Sequence, residues 1–175
     1  MRSLDRRGRE MRKGVSPLVS YILLLAVVIA GIGIIITAGR PILEESRDTA
    51  EIDQAKSNLL GLDRNIRDTA SLGRHSSSQY SISLRKGRYK FNTDQDLIFY
   101  TLETGTGIIS ANSSRNFGNL VMNATGSDPW KVYLELNYTS IDLTGMDRLS
   151  PGLYTLQITN KGISGNKTQI EITEQ

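Results

Sequence analysis

The chain of 175 residues carries 21 basic and 18 acidic residues, a formal charge of +3, and no cysteine. Without cysteine there are no disulfides, and with a single histidine a zinc site or a Cys/His or Ser/His catalytic pair is nearly excluded. The basic balance invites a nucleic-acid or anionic-surface reading, yet residues 1–14 hold six basic and two acidic residues, leaving 15 basic against 16 acidic from Val15 onward; no nucleic-acid partner is expected.

Residues 1–14 (MRSLDRRGREMRKG) form a basic leader, and residues 15–39 (VSPLVSYILLLAVVIAGIGIIITAG) form an uncharged, mostly apolar run. At ~1.5 Å per residue this run reaches about 37 Å as a helix, enough for a bilayer core of about 30 Å. Arg2, Arg6, Arg7, Arg9, Arg12 and Lys13 precede it, whereas Arg40 on the other flank is followed by Glu44 and Glu45. This asymmetry keeps the N-terminus cytoplasmic and places the C-terminal body outside the cell membrane. A cleaved secretory signal would have a shorter apolar core and a small-x-small site, of which Ile36-Thr37-Ala38 is a poor version. An uncleaved signal anchor fits the hydropathy equally well.

Within the run, Ala26, Ala30, Gly33 and Thr37 recur at steps of four, three and four, so they share one helix face. Two explanations stand side by side. Small residues are common in membrane helices, and small faces also let identical helices pack closely in an apolar medium.

The junction Arg12-Lys13-Gly14-Val15-Ser16-Pro17 puts a basic residue and a glycine on the cytoplasmic edge of the apolar segment. Here the chain resembles the precursors of archaeal type IV pilins and the related archaellins. The resemblance implies that a membrane prepilin peptidase cuts between Gly14 and Val15, with Lys13 and Gly14 before the cut and Val15 as the new N-terminus. It also implies that the pilus assembly machinery packs the helix into the core of a homo-oligomeric, extracellular filament. Val19 departs from the bacterial pattern, where a glutamate pairs with a neighbouring subunit's N-terminus, so the bacterial mode of subunit registration is not implied. The resemblance covers residues 1–40 well and the rest only in outline.

Gly39-Arg40-Pro41 predicts a kink or short break, because proline removes a backbone donor and crowds the preceding turn. Beyond it, Ile52, Ala55, Leu59, Leu62 and Ile66 recur at the spacing of a narrow apolar stripe, with Glu51, Asp53, Lys56, Asp63, Arg64, Arg67 and Asp68 on the polar faces. One long helix is expected from near Ser16 to about Ala70, ending before Gly73. Its amphipathic extension, residues 40–73, would pack through the stripe on the chain's own globular domain.

Residues 76–175 read as a small antiparallel β domain of about seven strands, sandwich-like or folded over the helix, which makes the whole chain α+β. Strand-like runs fall at residues 80–84, 89–91, 97–102 and 130–138, the last with strict two-residue alternation. Residues 153–159 and 168–173 flank Asn160-Lys161-Gly162 as a terminal hairpin, and residues 104–119 read as a long exposed loop. Arg85, Lys86, Arg88 and Lys90 around Gly87 read as a solvated hairpin end rather than a ligand patch.

Four sequons, at Asn112, Asn123, Asn137 and Asn166, all fall in the outer body and are candidate N-glycosylation sites. No nucleophile motif or phosphate loop is present, so no enzyme activity and no cofactor are expected. His75, among serines at the helix-to-strand junction, reads as a surface residue. Asn92, Asp94, Asp96 and Glu103 imitate the spacing of a calcium loop. Leu97 occupies the position that needs glycine, so a polar hairpin turn is expected instead and no metal site.

Two readings remain. One is a structural subunit of an archaeal pilus-like surface filament. The other is a membrane-anchored extracellular binding module or minor pilin-like protein, with the 104–119 loop, Tyr133 and Tyr154 as its ligand face.

Overall fold

The computed structural model describes residues 17–105, 113–126 and 129–175. Among them are one helix, α1 (Pro17–Ser71), and ten strands. The chain divides into two compact units, Met1–Pro41 and Ile42–Gln175.

In the first unit the described residues are all helical and nearly all exposed, including Leu18, Tyr21, Ile22, Val27, Ile34 and Ile35. Length and composition are those of a helix that can cross a bilayer. The break expected at Gly39-Arg40-Pro41 is absent, since α1 is helical through Pro41. Proline at position 41 removes the one N–H that would bond the Thr37 carbonyl, and a helix of 55 residues tolerates a single missing bond.

The second unit is built on the rest of α1. Ile52, Ala55, Leu59, Leu62 and Ile66 are buried, the stripe that their spacing predicts. They join a core formed with the inner faces of two sheets. Ten strands carry those faces: β1 (Ser77–Leu84), β2 (Arg88–Asn92), β3 (Leu97–Thr104), β4 (Ser114–Phe117), β5 (Leu120–Thr125), β6 (Trp130–Asn137), β7 (Ile141–Gly145), β8 (Arg148–Leu149), β9 (Gly152–Ser164) and β10 (Lys167–Glu174). One sheet has the order β1-β9-β10-β7 and the other β4-β5-β6-β3-β2-β8. Alternation fixes which side faces inward: on β3, Ile98, Tyr100 and Leu102 are buried while Phe99 and Thr101 are only half-buried. Each fully buried Leu or Ile stabilises the fold by roughly 1.5–3 kcal/mol.

The α+β architecture stands, with five differences in the β domain. Among the described residues it has ten strands rather than about seven, and β7 runs parallel to β10, so the domain is not purely antiparallel. The expected loop at 104–119 contains β4, while residues 106–112 lie outside the described residues. Asn160-Lys161-Gly162 does not turn the chain but lies inside β9, where a register shift opposite Gln169 and Ile170 leaves Lys161 as the extra residue. The turn falls instead at Gly165-Asn166, with Gly165 at φ 63°. Finally, the chain changes sheets between Leu84 and Arg88, so the basic cluster around Gly87 is a crossover and not a hairpin end.

Candidate functional site

Two surfaces have the character of a functional site. The first is the exposed apolar part of α1. Ala26, Ala30, Gly33 and Thr37 are all exposed on it. Nothing lies within 4 Å of where a Cβ on Gly33 would stand, so that face is open to a partner. Thr37 turns its hydroxyl back to the Gly33 carbonyl at 2.8 Å, which satisfies the hydroxyl within the helix and leaves a methyl outward. Lys13, Gly14 and Val15, the expected processing site, lie outside the described residues.

The buried end of the helix is tied to the domain by polar contacts that the stripe does not announce. Asp48, buried, receives Lys86 Nζ at 2.6 Å. Asn58 Nδ2 donates to the Ser83 carbonyl at 2.9 Å. Lys56 Nζ lies 3.6 Å from the centre of the Phe117 ring. Lys86 is therefore solvent-exposed, as expected, and also an anchor of the helix through Asp48. Burial pushes the hydroxyls of Tyr89, Tyr100 and Tyr138 far above the ordinary tyrosine range, with the charges of Tyr89, Glu51 and Asp48 adding to the effect at Tyr100 and that of Asp63 at Tyr138.

The second surface is the outward face of the six-stranded sheet. Register places Arg88 opposite Thr101 and Lys90 opposite Phe99, and it places Lys90 opposite Arg148. Tyr133 and Glu135 from β6 and Asn123 from β5 complete a groove of ≈ 360 Å³ with Arg88, Lys90, Phe99 and Thr101. The sequence suggested Tyr133 for a ligand face, but nothing in it indicated that Arg148 would join Arg88 and Lys90. That meeting depends on the pairing of a two-residue strand, β8. Tyr154, the other aromatic suggested, is half-buried against the core on β9.

Asn166 is exposed in the β9–β10 turn, Asn137 is exposed at the end of β6, and Asn123 is half-buried within β5. Asn112 lies outside the described residues. His75 is exposed, with φ 69° and its N–H donated to the Asn160 carbonyl. The calcium-like spacing is put to other use: Asp96 is buried, receives the Leu143 N–H at 2.9 Å and pairs with Lys167 at 2.5 Å, while Asn92 accepts the Asp94 N–H in a local turn. Among the described residues no group of three or more His, Asp or Glu is placed to hold a metal ion.

The molecule is thus an α+β protein in which one helix supplies both a bare apolar surface and the central stripe of a β domain's core. It belongs to the family of unknown function DUF7289, whose model matches residues 13–128, more than half of the chain. No curated protein and no solved structure matches it.

Proposed function

We propose that this chain is the structural subunit of an archaeal type IV pilus-like surface filament, without enzymatic activity or a cofactor. It is inserted in the cell membrane as a precursor with its N-terminus cytoplasmic and its β domain outside. A prepilin peptidase trims it between Gly14 and Val15, and the assembly machinery packs the helix against its copies. The observation that carries this reading is the division of labour along α1. From Asp48 onward the helix has its stripe buried in its own domain, whereas its earlier residues, from Leu18 to Leu43, expose large aliphatic side chains with no covering partner among the described residues. An apolar helix leaving lipid loses little if it enters a core of identical helices, and close backbone approach there is favoured by small residues such as Ala26, Ala30 and Gly33.

Mass spectrometry of the exported protein tests the first step, since a mature N-terminus other than Val15 removes the pilin reading. Negative-stain images test the second. Filaments are expected, whereas detergent-solubilised monomers alone would favour a membrane-anchored binding module, a reading that draws on the cationic and aromatic sheet face.

A further inference from the structure

Three cations meet on the outward face of the six-stranded sheet with no carboxylate among the described residues at ion-pair distance. Tyr89 and Leu149 pair across β2 and β8 and are both buried, so their neighbours Lys90 and Arg148 stand opposite each other on the outer side. Arg88, two residues from Lys90 on the same strand, shares that side. All three are exposed, and none is ion-paired with a described residue. Asp94 and Asp147 line a neighbouring pocket with the three cations, and Glu135 lines the groove with Arg88 and Lys90, none of them at ion-pair distance. Like charges directly opposite on a sheet destabilise it. The fold therefore carries a local electrostatic cost that an anion would relieve.

The neighbours of these cations narrow the kind of anion. Two half-buried rings, Phe99 and Tyr133, lie on adjacent strands beside Lys90 and Arg88, and they are interleaved with Thr101, Asn123 and Glu135. Flat rings on a sheet face suit the apolar faces of sugars, and neutral or acidic hydrogen-bonding groups suit hydroxyls. Glu135 opposite Phe99 accepts hydrogen bonds from the hydroxyls of a saccharide, donors that a phosphate backbone does not supply. Guanidinium forks match carboxylates in a two-pronged geometry.

We propose that this face binds an acidic polysaccharide, with its anionic groups on Arg88, Lys90 and Arg148 and its sugar rings over Tyr133 and Phe99. The site goes beyond the filament reading and does not require it.

The test uses the full chain in non-ionic detergent at roughly 0.15 M salt, titrated with polygalacturonate, neutral dextran and a single-stranded oligonucleotide. Saturable binding of polygalacturonate is expected, with dextran unbound and the oligonucleotide weaker. The combined variant R88Q/K90Q/R148Q should lose about tenfold or more in affinity, and Tyr133→Ala several-fold. The basic leader is common to every variant and cancels in the comparison. The charge-preserving exchange K90R/R148K should keep binding. As a second readout, Arg148→Gln alone should weaken binding while leaving the melting temperature unchanged or higher, because it removes one of two opposed cations. A polygalacturonate affinity left unchanged by the triple substitution overturns the site. So does equal affinity for the oligonucleotide with no effect of Tyr133→Ala, which marks a general polyanion surface, and so does a clear fall in melting temperature for Arg148→Gln.

Discussion

Asn160 Nδ2 stands 3.2 Å from the carbonyl oxygens of both Thr69 and Ala70, so a residue of β9 closes the end of α1. The last carbonyls of a helix have no partner within it. Here the Ser76 hydroxyl also donates to Thr69, and Asn160 is itself fully engaged, with its N–H on Ser76, its carbonyl receiving His75 and its side-chain oxygen receiving Gly162. A single residue, 1% exposed, thereby joins the helix through its side chain and the connection between helix and sheet through its backbone to the strand that ends in the domain's last hairpin.

Asn160→Ala should cost about 2–3 kcal/mol, because it strands buried polar groups as well as removing bonds. Asn160→Asp should be comparably harmful, since a carboxylate cannot donate to carbonyls. Asn166→Ala, in the exposed turn six residues later, should stay within about 0.5 kcal/mol. Urea denaturation of the three variants in detergent measures the difference.

Asn160 also shows why part of this fold was legible and part was not. The helix stripe and the alternation of β3 and β6 are local periodicities, and a buried face writes itself into the sequence as such a period. By contrast, Asn160-Lys161-Gly162 has the composition of a turn, and only a long-range partner, the end of α1, turns it into the interior of a strand. The same holds for Lys86 with Asp48 and for Lys90 with Arg148, where the informative relation spans 38 residues in the first case and depends on a two-residue strand in the second. The apolar surface of α1 was readable from hydropathy. The cation face was not, because sheet order is not a local property.

Asp96 is expected to be structural. It adopts φ 54°, a conformation that Asp and Asn tolerate better than Ala, and its carboxylate holds the β2–β3 turn against β7 and β10. Asp96→Ala should therefore cost about 2–4 kcal/mol, whereas Asp96→Asn keeps the acceptor for Leu143 and the backbone preference and should cost about 1 kcal/mol. Calcium at millimolar concentration should leave the wild-type melting temperature unchanged, since both carboxylate oxygens already have partners. A calcium-dependent rise would show that the turn opens to bind metal.

Gly61 is a close-approach position on the buried side of α1. A Cβ there would overlap the Tyr80 hydroxyl and lie 2.7 Å from the ring's Cζ. Gly61→Ala should destabilise by about 1–3 kcal/mol despite alanine's better helix propensity. In a Tyr80→Val background the same substitution should become neutral or stabilising. A double-mutant cycle with no coupling would mean that the ring moves aside freely.

Within the second unit, Leu59 and Leu60 separate the two sides of the helix. Leu59 is fully buried and Leu60 is 37% exposed. Leu59→Ala should cost roughly 2–5 kcal/mol, and Leu60→Ala a small fraction of that. Equal effects would place the domain on a different face of α1.

Alkaline pH should unfold the β domain before its lysines alone would demand it. Burial raises the native values of Tyr89, Tyr100 and Tyr138, whereas the unfolded chain titrates near the ordinary value of 10.0. Above that value the unfolded state releases protons that the native state holds, so stability present below pH 10 is lost as pH rises toward the native values. The loss approaches about 1.4 kcal/mol per pH unit for each such tyrosine. Lys167 acts in the same direction: its hydrogen bond to Asp96 raises its affinity for a proton, and that contribution disappears as pH climbs through the raised value. Far-UV circular dichroism between pH 8 and 12 should show a cooperative transition that begins near pH 10, together with a simultaneous rise in tyrosinate absorbance. Tyrosinate that appears well below the loss of structure would show that these rings are open to solvent in the native domain. Tyr138→Phe should shift the transition to higher pH, because it removes one of the three groups whose ionisation favours the unfolded chain.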